Sequence, residues 1–344
     1  AACDIPSTAP MWETEWGIAV KADSFSVADF LPNDITMLNG VFRATPPTAT
    51  SSVFLSEVCG GVCVWNSLPK PAFTTELTTN ISIAGDVVRA TTGSGSALRA
   101  RVTQNFGFDI LAPSGATGTG SLVLRLLSRL TTTSPWDTIS TTELRGSAAT
   151  LPSGTTLSLP LPITAGRTIG RDIRLEVAVS SPAGGPVVLD GSASLNVTLD
   201  APSGVAIAAA TIRFSARAIE NEGGKLDLTK LDFDADKLRG ATLTLDIDNP
   251  LAVVGEATLL FQHKGVTVLS KEFPLAPAHS APVITFTGAE LQKLRGAEQV
   301  LVLRANVRAS NANGEVTVRP ADVIRVKGSF QATIRPTGSP SISQ

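Results

Sequence analysis

The amino-acid sequence predicts an all-β protein made of two tandem β-sandwich domains with a short N-terminal entry region. One observation is a period-two pattern. In residues 241–248, Leu243, Leu245 and Ile247 alternate with polar side chains, as in a strand with one buried face. Another is spacing, because clusters of Gly, Ser, Thr and Pro separate many such short segments. Charged residues make up 17% of the chain, below the ~25% usual for soluble globular domains.

The length of the chain sets the number of domains. With 344 residues, it can form two or three domains that each bury a core. We predict a tether and entry region at 1–75, a first β-sandwich at 76–203, a second β-sandwich at 204–336 and a C-terminal tail at 337–344.

The two predicted sandwiches correspond to each other in order, which indicates an internal duplication. The run 98–111 ends its alternation at Asn105, as the run 241–254 does at Asn249-Pro250. Both stops are expected, because Asn favours turns and Pro has no N–H for the sheet ladder. The segments that follow pair as SLVLRLLSR with EATLLFQHK, LSLPLPI with KEFPLAP, IRLEVAV with VLVLRANV, and VVLDGSASLNVTLDAP with VIRVKGSFQATIRP.

A strand that ends in Asn-Pro is followed by EATLLFQHKG and then by an apolar strand with proline. This order resembles the late-embryogenesis-abundant, water-stress-type domain. That family is an immunoglobulin-like β-sandwich found in plants and in bacterial envelope proteins. The resemblance therefore implies immunoglobulin-like sandwiches here. It is best over 241–335 and only topological over 73–200, where Asn105-Phe106 replaces Asn-Pro. The family has no catalytic residues, so the resemblance implies packing rather than chemistry.

The first residues, AACDIPSTAPMWETEW, resemble the processed N-terminus of a bacterial lipoprotein. Ala1-Ala2-Cys3 resembles the end of a lipobox, whose cysteine is acylated, and the Pro/Ser/Thr run resembles a tether. We therefore expect a lipid on Cys3. The alternative is an ordinary thiol near a frayed end. In such lipoproteins an Asp after the Cys often marks retention at the inner membrane, so Asp4 favours its periplasmic face.

The other two cysteines, Cys59 and Cys63, lie in VCGGVCVW. Gly60-Gly61 allow a tight loop that can bring the two sulfurs together. The spacing of three residues does not match thioredoxin-like motifs, and no His follows for haem attachment. A metal ion would need more ligands than this loop supplies. We expect a small structural disulfide in an oxidising compartment.

Tryptophans supply the candidate contact residues. Trp12 and Trp16 lie near the predicted tether, where Trp suits a lipid interface or a partner surface; packing against the first sandwich is the alternative. Trp136 lies in a predicted loop, 130–151, and is a candidate partner contact, with a folded-back hydrophobic plug as the alternative. A concave cluster of Trp136 with Trp65 would favour glycan binding.

Patterns for catalysis, cofactors or metal ions are scarce. The two histidines, His263 and His279, lie at a predicted turn and in a predicted loop, without the partners of a zinc site or catalytic triad. No P-loop or dinucleotide fingerprint joins a strand to a helix. A net charge of −2 gives no basic footprint for nucleic acid. We expect no enzyme activity, no cofactor and no nucleic-acid partner.

An acidic group at 227–236, close in sequence to Asp246 and Asp248, suggests Ca²⁺. Its D-x-D-x-D spacing lacks the Gly and Glu of the helix–loop–helix calcium site. Lysines and an arginine interleave with these acids, so we expect a solvated turn and no metal site.

These features favour a non-catalytic, lipid-anchored protein on the extracytoplasmic face of a bacterial membrane, docked on an integral membrane protein complex. The two-module layout and Asp4 resemble periplasmic accessory subunits of photosynthetic reaction-centre complexes. The alternatives are a glycan- or small-ligand-binding module, and a filament subunit of the cell surface assembled through exposed sheet edges.

Overall fold

The chain folds almost entirely into antiparallel β-sheets, which confirms the predicted all-β class. The structure is a computed structural model and describes residues 14–27, 31–59, 67–83, 85–112, 119–145, 149–229 and 238–334. In chain order its elements are β1 Thr14–Ser26, β2 Ile35–Leu38, β3 Val41–Ala44, β4 Ala49–Phe54, α1 Leu55–Val58, β5 Ser67–Pro69, β6 Phe73–Ser82, β7 Val87–Thr92, β8 Ala97–Gln104, β9 Ser121–Arg129, β10 Asp137–Arg145, β11 Thr156–Pro162, β12 Thr168–Gly170, β13 Asp172–Ser181, β14 Pro186–Val188, β15 Ser194–Asp200, β16 Val205–Arg213, β17 Arg217–Asp227, β18 Leu238–Asn249, β19 Val253–His263, β20 Val266–Leu275, β21 Ala278–Ser280, β22 Val283–Thr287, α2 Gly288–Leu294, β23 Glu298–Ala309, β24 Glu315–Val318 and β25 Val323–Ile334.

The described residues form two compact units. The first unit takes its residues from 30–213 and 317–320, and the second unit from 1–29, 214–316 and 321–344. Most of the first unit is therefore inserted, in sequence, between the first strand of the second unit and the rest of that unit.

The second unit is a sandwich of two sheets. One sheet has the strand order β20-β19-β23-β17. The other has the order β22-β18-β25-β1, and β21 also pairs with β18. Rings from both sheets meet in its core: Phe261 of β19 lies edge-on to Phe286 of β22, with centroids 5.5 Å apart, and Phe286 lies 5.6 Å from Phe330 of β25. All three rings are buried, so the sheets share one apolar core.

The first unit contains a sandwich with sheets β10-β9-β13-β6 and β11-β8-β15-β4. Every second side chain of its central strands is buried, as the period of a strand requires. These residues are Leu122, Leu124 and Leu126 of β9, Ile173, Leu175 and Val177 of β13, Leu98, Ala100 and Val102 of β8, and Leu195, Val197 and Leu199 of β15. The unit also holds the sheet β12-β7-β16-β3-β2 and the short pair β5-β14.

The sandwiches of the two units have the same strand order. Strands β6, β8, β9, β10, β11, β13 and β15 of the first unit take the places of β17, β18, β19, β20, β22, β23 and β25 in the second. The edge strand β4 beside β15 corresponds to β1 beside β25. The segments LSLPLPI and KEFPLAP do not correspond, because the first forms β11 and the second ends β20.

The division of the chain differs from the boundaries at 75 and 203. Strand β1 pairs with β25 along its length, which puts the start of the predicted entry region in the second unit. Residues 205–218 form β16 and the start of β17. Strand β16 pairs with β3 and β7 of the first unit. Alternation identifies a strand, but it does not specify which sheet the strand joins.

A buried amide closes the equivalent strand of each sandwich. Asn249, at the end of β18, donates from Nδ2 to Val253 O and Ala276 O, both at 2.9 Å. Its Oδ1 accepts from Leu251 N at 3.3 Å. The side chain is fully buried, so every bond replaces one that water would otherwise supply.

In the first unit Gln104, not Asn105, has this role. Gln104 Nε2 donates to Phe108 O at 2.9 Å and Leu151 O at 2.7 Å, and its Oε1 accepts from Phe106 N at 2.8 Å. In both networks the amide donates to the carbonyl four residues later in the chain and accepts from the backbone N–H two residues later. Asn105 is exposed. The predicted correspondence of Asn105 with Asn249 is therefore wrong by one residue.

The predicted loop 130–151 contains a strand, which is a second correction. Strand β10 pairs with β9 along Asp137–Arg145. Only Ile139 within β10 is buried, because β10 is an edge strand with a largely solvated surface. Its sequence therefore has no apolar alternation to identify it.

Residues 288–294 form the short capped helix α2. Thr287 Oγ1 accepts from Glu290 N at 3.3 Å, and the Glu290 carboxylate accepts from Thr287 N at 2.9 Å, which forms a capping box. A hydrogen bond from Lys271 at 2.7 Å, followed by the one from the Thr287 backbone, lowers the pKa of Glu290 to about 2.

We predict that Gln104→Leu lowers the free energy of unfolding by about 2–4 kcal/mol, because two carbonyls and one N–H lose their buried partner. Asn105→Ala should change it by less than about 0.5 kcal/mol, as for an exposed site. Urea unfolding of both variants measures this. Equal losses would show that Gln104 does not hold the strand end.

We also predict a pH-dependent effect of Glu290→Gln. The pKa of this carboxyl is depressed in the folded state, so its contribution is present above its ordinary value near 4.5 and is lost as pH falls towards 2. The variant should lose about 1 kcal/mol at pH 7 and less at pH 3. Glu272→Gln, an exposed carboxylate on β20, is the control in urea unfolding. A loss that is the same at both pH values would contradict the prediction.

Candidate functional site

The predicted cysteine sites lie mostly outside the described residues, as Cys3 and Cys63 do. Cys59 directly follows α1, and its Sγ lies 2.8 Å from Leu55 O. Acylation of Cys3 and the Cys59–Cys63 disulfide therefore stay predictions.

Two of the predicted tryptophans, Trp12 and Trp65, also lie outside the described residues. Trp16 lies in β1, opposite Ala332 of β25. A membrane or partner contact of Trp12 and Trp16 stays a prediction, and a cluster of Trp136 with Trp65, which would favour glycan binding, stays untested.

Trp136 directly precedes β10 and is half-buried on the first unit. Two guanidinium groups lie over its ring: Arg129 is 4.7 Å and Arg174 is 4.2 Å from the centroid. Arg129 Nε also donates to Asp172 at 3.0 Å, and Arg174 Nε donates to Asn80 at 3.2 Å. Cation–π contacts of this kind hold both side chains in place. The packing of Trp136 on cations was not predicted.

An acidic residue on β15 organises the outer face of the first unit beside β8. Asp200 accepts two hydrogen bonds from Arg99, at 2.9 and 3.0 Å, and forms an ion pair with Arg101 at 2.8 Å. The Asp200 side chain is largely buried while both arginines are partly exposed. Bidentate pairing of this kind fixes the guanidinium plane.

On the equivalent face of the second unit the charges exchange strands, because the acids lie on β18 and the cations Arg325 and Lys327 lie opposite them on β25. Asp246 and Asp248 lie on β18, where Asp248 pairs with Arg325 at 3.5 Å and Asp246 lies 3.3 Å from His279 Nδ1. Both carboxylates are exposed, which confirms that they form the wet face of this strand. Strand β8 thus carries cations paired with an acid on β15, and β18 carries acids of which one pairs with a cation on β25.

Sequence reasoning missed the network that holds the loop between β8 and β9. Asp109 Oδ1 accepts from the backbone N–H of Leu111, Ala112 and Leu151 at 2.9–3.0 Å. Lys70 Nζ donates to Asp109 O at 2.7 Å and to Ala112 O at 2.9 Å, and lies 5.4 Å from the centroid of the Phe108 ring.

Lys70 is only 1% exposed. Burial lowers the pKa of Lys70, and the charge of Asp109 opposes that shift. One sequence signal could have identified it, because every other cation in 30–213 is an arginine. A lysine places its three donors around one small charged group, which suits two converging carbonyls.

Other features give no site. Within the described ranges, no group of three or more His, Cys, Asp or Glu could hold a metal ion. The acidic residues 232–236 lie outside those ranges. An apolar cavity between the sheets of the second unit measures about 30 Å³, enough for roughly one water but not for an organic ligand. No helix in the described part of the chain is long and apolar enough to cross a membrane.

Comparison with known proteins finds no matching family model and no matching curated protein. A protein described as secreted, from Parabacteroides distasonis, is 10% identical and has a TM-score of 0.32 over 94% of this chain and 100% of its own. The structure of the infectious bursal disease virus Gx strain is 10% identical, with a TM-score of 0.23 over 97% of this chain and 74% of its own. A tandem CBM22 domain of Paenibacillus barcinonensis Xyn10C is 8% identical, with a TM-score of 0.16 over 92% and 97%. Similarity this low carries no argument about function.

We predict that Lys70→Met lowers the free energy of unfolding by about 2–3 kcal/mol, because it leaves two converging carbonyls without their donor in a buried setting. Lys225→Met is the matched control. Lys225 is exposed and its pair with Glu298 lies on the surface, so this change should have little effect on the free energy of unfolding. Thermal and urea unfolding measure both, and similar losses would disprove the role of Lys70.

Proposed function

We propose that this protein is a non-catalytic docking protein on the extracytoplasmic face of a bacterial membrane, held by a lipid on Cys3 and bound to an integral membrane protein complex. The observation that carries the docking role is the pair of equivalent charged faces on which acids and cations exchange strands, Asp200 with its arginines in the first unit and Asp246 with Asp248 in the second. Complementary charge on exposed faces supports partner choice and association rate.

A docking role also suits the chemistry of both units. Their outer faces carry ion pairs in both units and paired hydroxyl groups in the first unit. The described residues contain no cluster of metal-ligating side chains. The interior cavity of the second unit is too small for an organic substrate. Recognition by surface charge needs none of these.

The docking face is tested by charge reversal in the native membrane. Asp246→Lys should lower co-purification with the membrane complex by about tenfold, because an attractive contact becomes repulsive. Glu272→Lys is the matched control: it makes the same change of charge at an exposed position on the other sheet of the second unit, and should co-purify as the wild type does.

The anchor is tested separately by intact-mass spectrometry of the protein extracted from its native membrane. A mass that includes a diacylglyceryl or triacyl group on Cys3 is the expected result. Recovery of the wild-type protein as an unmodified chain, alone in the soluble fraction, would overturn the proposal.

A second candidate function is the binding of a small ligand, and one observation favours it. The first unit has a pocket lined by three arginines, which is argued below.

A further inference from the structure

The first unit has a surface pocket of about 260 Å³ between the β6–β7 turn, the end of β9, the start of β13 and the end of β16. Three guanidinium groups line it, those of Arg129, Arg171 and Arg213. We call it the arginine pocket. It involves neither the charged face formed by Asp200 nor the predicted anchor.

Two of these arginines are held by one carboxylate. Asp172 accepts from Arg129 at 3.0 Å and lies 3.5 Å from Arg171 Nε. Arg129 Nη1 also donates to Thr132 O at 3.1 Å, and Arg171 Nη1 donates to Gly85 O at 3.3 Å. The ring of Trp136, described above, supports Arg129 from outside the pocket. Their geometry is therefore set before any ligand arrives.

The third arginine differs from the other two. Among the described residues, the exposed guanidinium of Arg213 makes no ion pair and no side-chain hydrogen bond, although its backbone N donates to Asp86 O at 2.7 Å. The anchored backbone keeps the side chain at the pocket edge. Its five N–H donors remain available to a ligand.

The charges around the pocket limit what it can hold. Two carboxylates, Asp86 and Asp172, line it with the three arginines, so the lining carries a small positive excess. This excess attracts a ligand with one negative charge, whereas a second negative charge on the ligand would be repelled by the two carboxylates. A pocket of this size lies just below the roughly 300 Å³ of small drug-ligand sites, so it suits a group no larger than one sugar unit.

We propose that the arginine pocket binds a singly charged oxyanion, the carboxylate or sulfate ester of a sugar-sized ligand. Planar guanidinium groups match the paired oxygens of such anions with two parallel hydrogen bonds. Arg213 supplies the main new contact, and Arg129 and Arg171 supply a fixed positive field. This site stands apart from the membrane docking role, so either one can fail without the other.

Calorimetric titration of the full chain with sodium galacturonate, at low ionic strength, tests the proposal. Saturable binding that weakens with added salt is the expected result, because the contact is ionic. Galactose, which has the same ring without the carboxylate, should not bind. Binding of galactose equal to that of galacturonate, or no saturable binding of galacturonate or of methyl sulfate, would overturn the proposal.

Two matched variants locate the site. Arg213→Gln should weaken galacturonate binding by about tenfold, the loss of one charged hydrogen-bonded contact. Arg125→Gln removes an exposed arginine from the face of β9, outside the pocket, and should bind as the wild type does. Equal thermal unfolding of both variants shows that they fold. Equal weakening by both would contradict the assignment.

A membrane source of the anion is a separate outcome. Co-sedimentation with vesicles of phosphatidylglycerol and phosphatidylcholine should not depend on Arg213. If Arg213→Gln abolished vesicle binding and did not change the binding of galacturonate, the pocket would be a lipid headgroup site. The sugar-sized ligand would then be excluded.

Discussion

A fully buried amide at the end of one strand is the interaction on which each sandwich depends. Asn249 and Gln104 each donate to two carbonyls and accept from one backbone N–H, and together these bonds fix the chain as it leaves the sheet. An unpaired polar group at such a depth costs about 1–3 kcal/mol. The amide therefore requires the turn that follows, and the turn requires the amide. In the first unit the network extends through Asp109 to Lys70, so the whole loop between β8 and β9 rests on buried polar contacts.

The repeated strand order has a consequence for the chain as a whole. The second unit takes its edge strand β1 from a segment that precedes the first unit in sequence, and the remaining strands from segments that follow it. The residues of the first unit therefore lie between β1 and β25 in sequence, so the pairing of these two strands is a contact of large sequence separation. A sheet edge is covered in this way without adding a further strand after β25.

The two units differ in which cationic residues they use. All cations in 30–213 other than Lys70 are arginines, and several of them are fixed by carboxylates or by Trp136. Guanidinium groups keep their charge and present a planar set of donors. The second unit mixes lysine with arginine and places acids on the strand where the first unit has cations. The proposal of charged docking faces rests on this difference, and the proposal of an oxyanion pocket rests on the arginines that line one pocket of the first unit.

Period-two alternation by itself determined the all-β class and most of the central strands, because those features depend on local burial. It did not reveal β10, an edge strand whose side chains are mostly solvated. Tertiary structure alone decided that β1 joins the second unit, that β16 joins the first, and that Gln104 rather than Asn105 corresponds to Asn249. The physical reason is common to all three. Strand partners and the direction of one side chain are set by contacts between residues far apart in sequence, and local pattern carries no record of them.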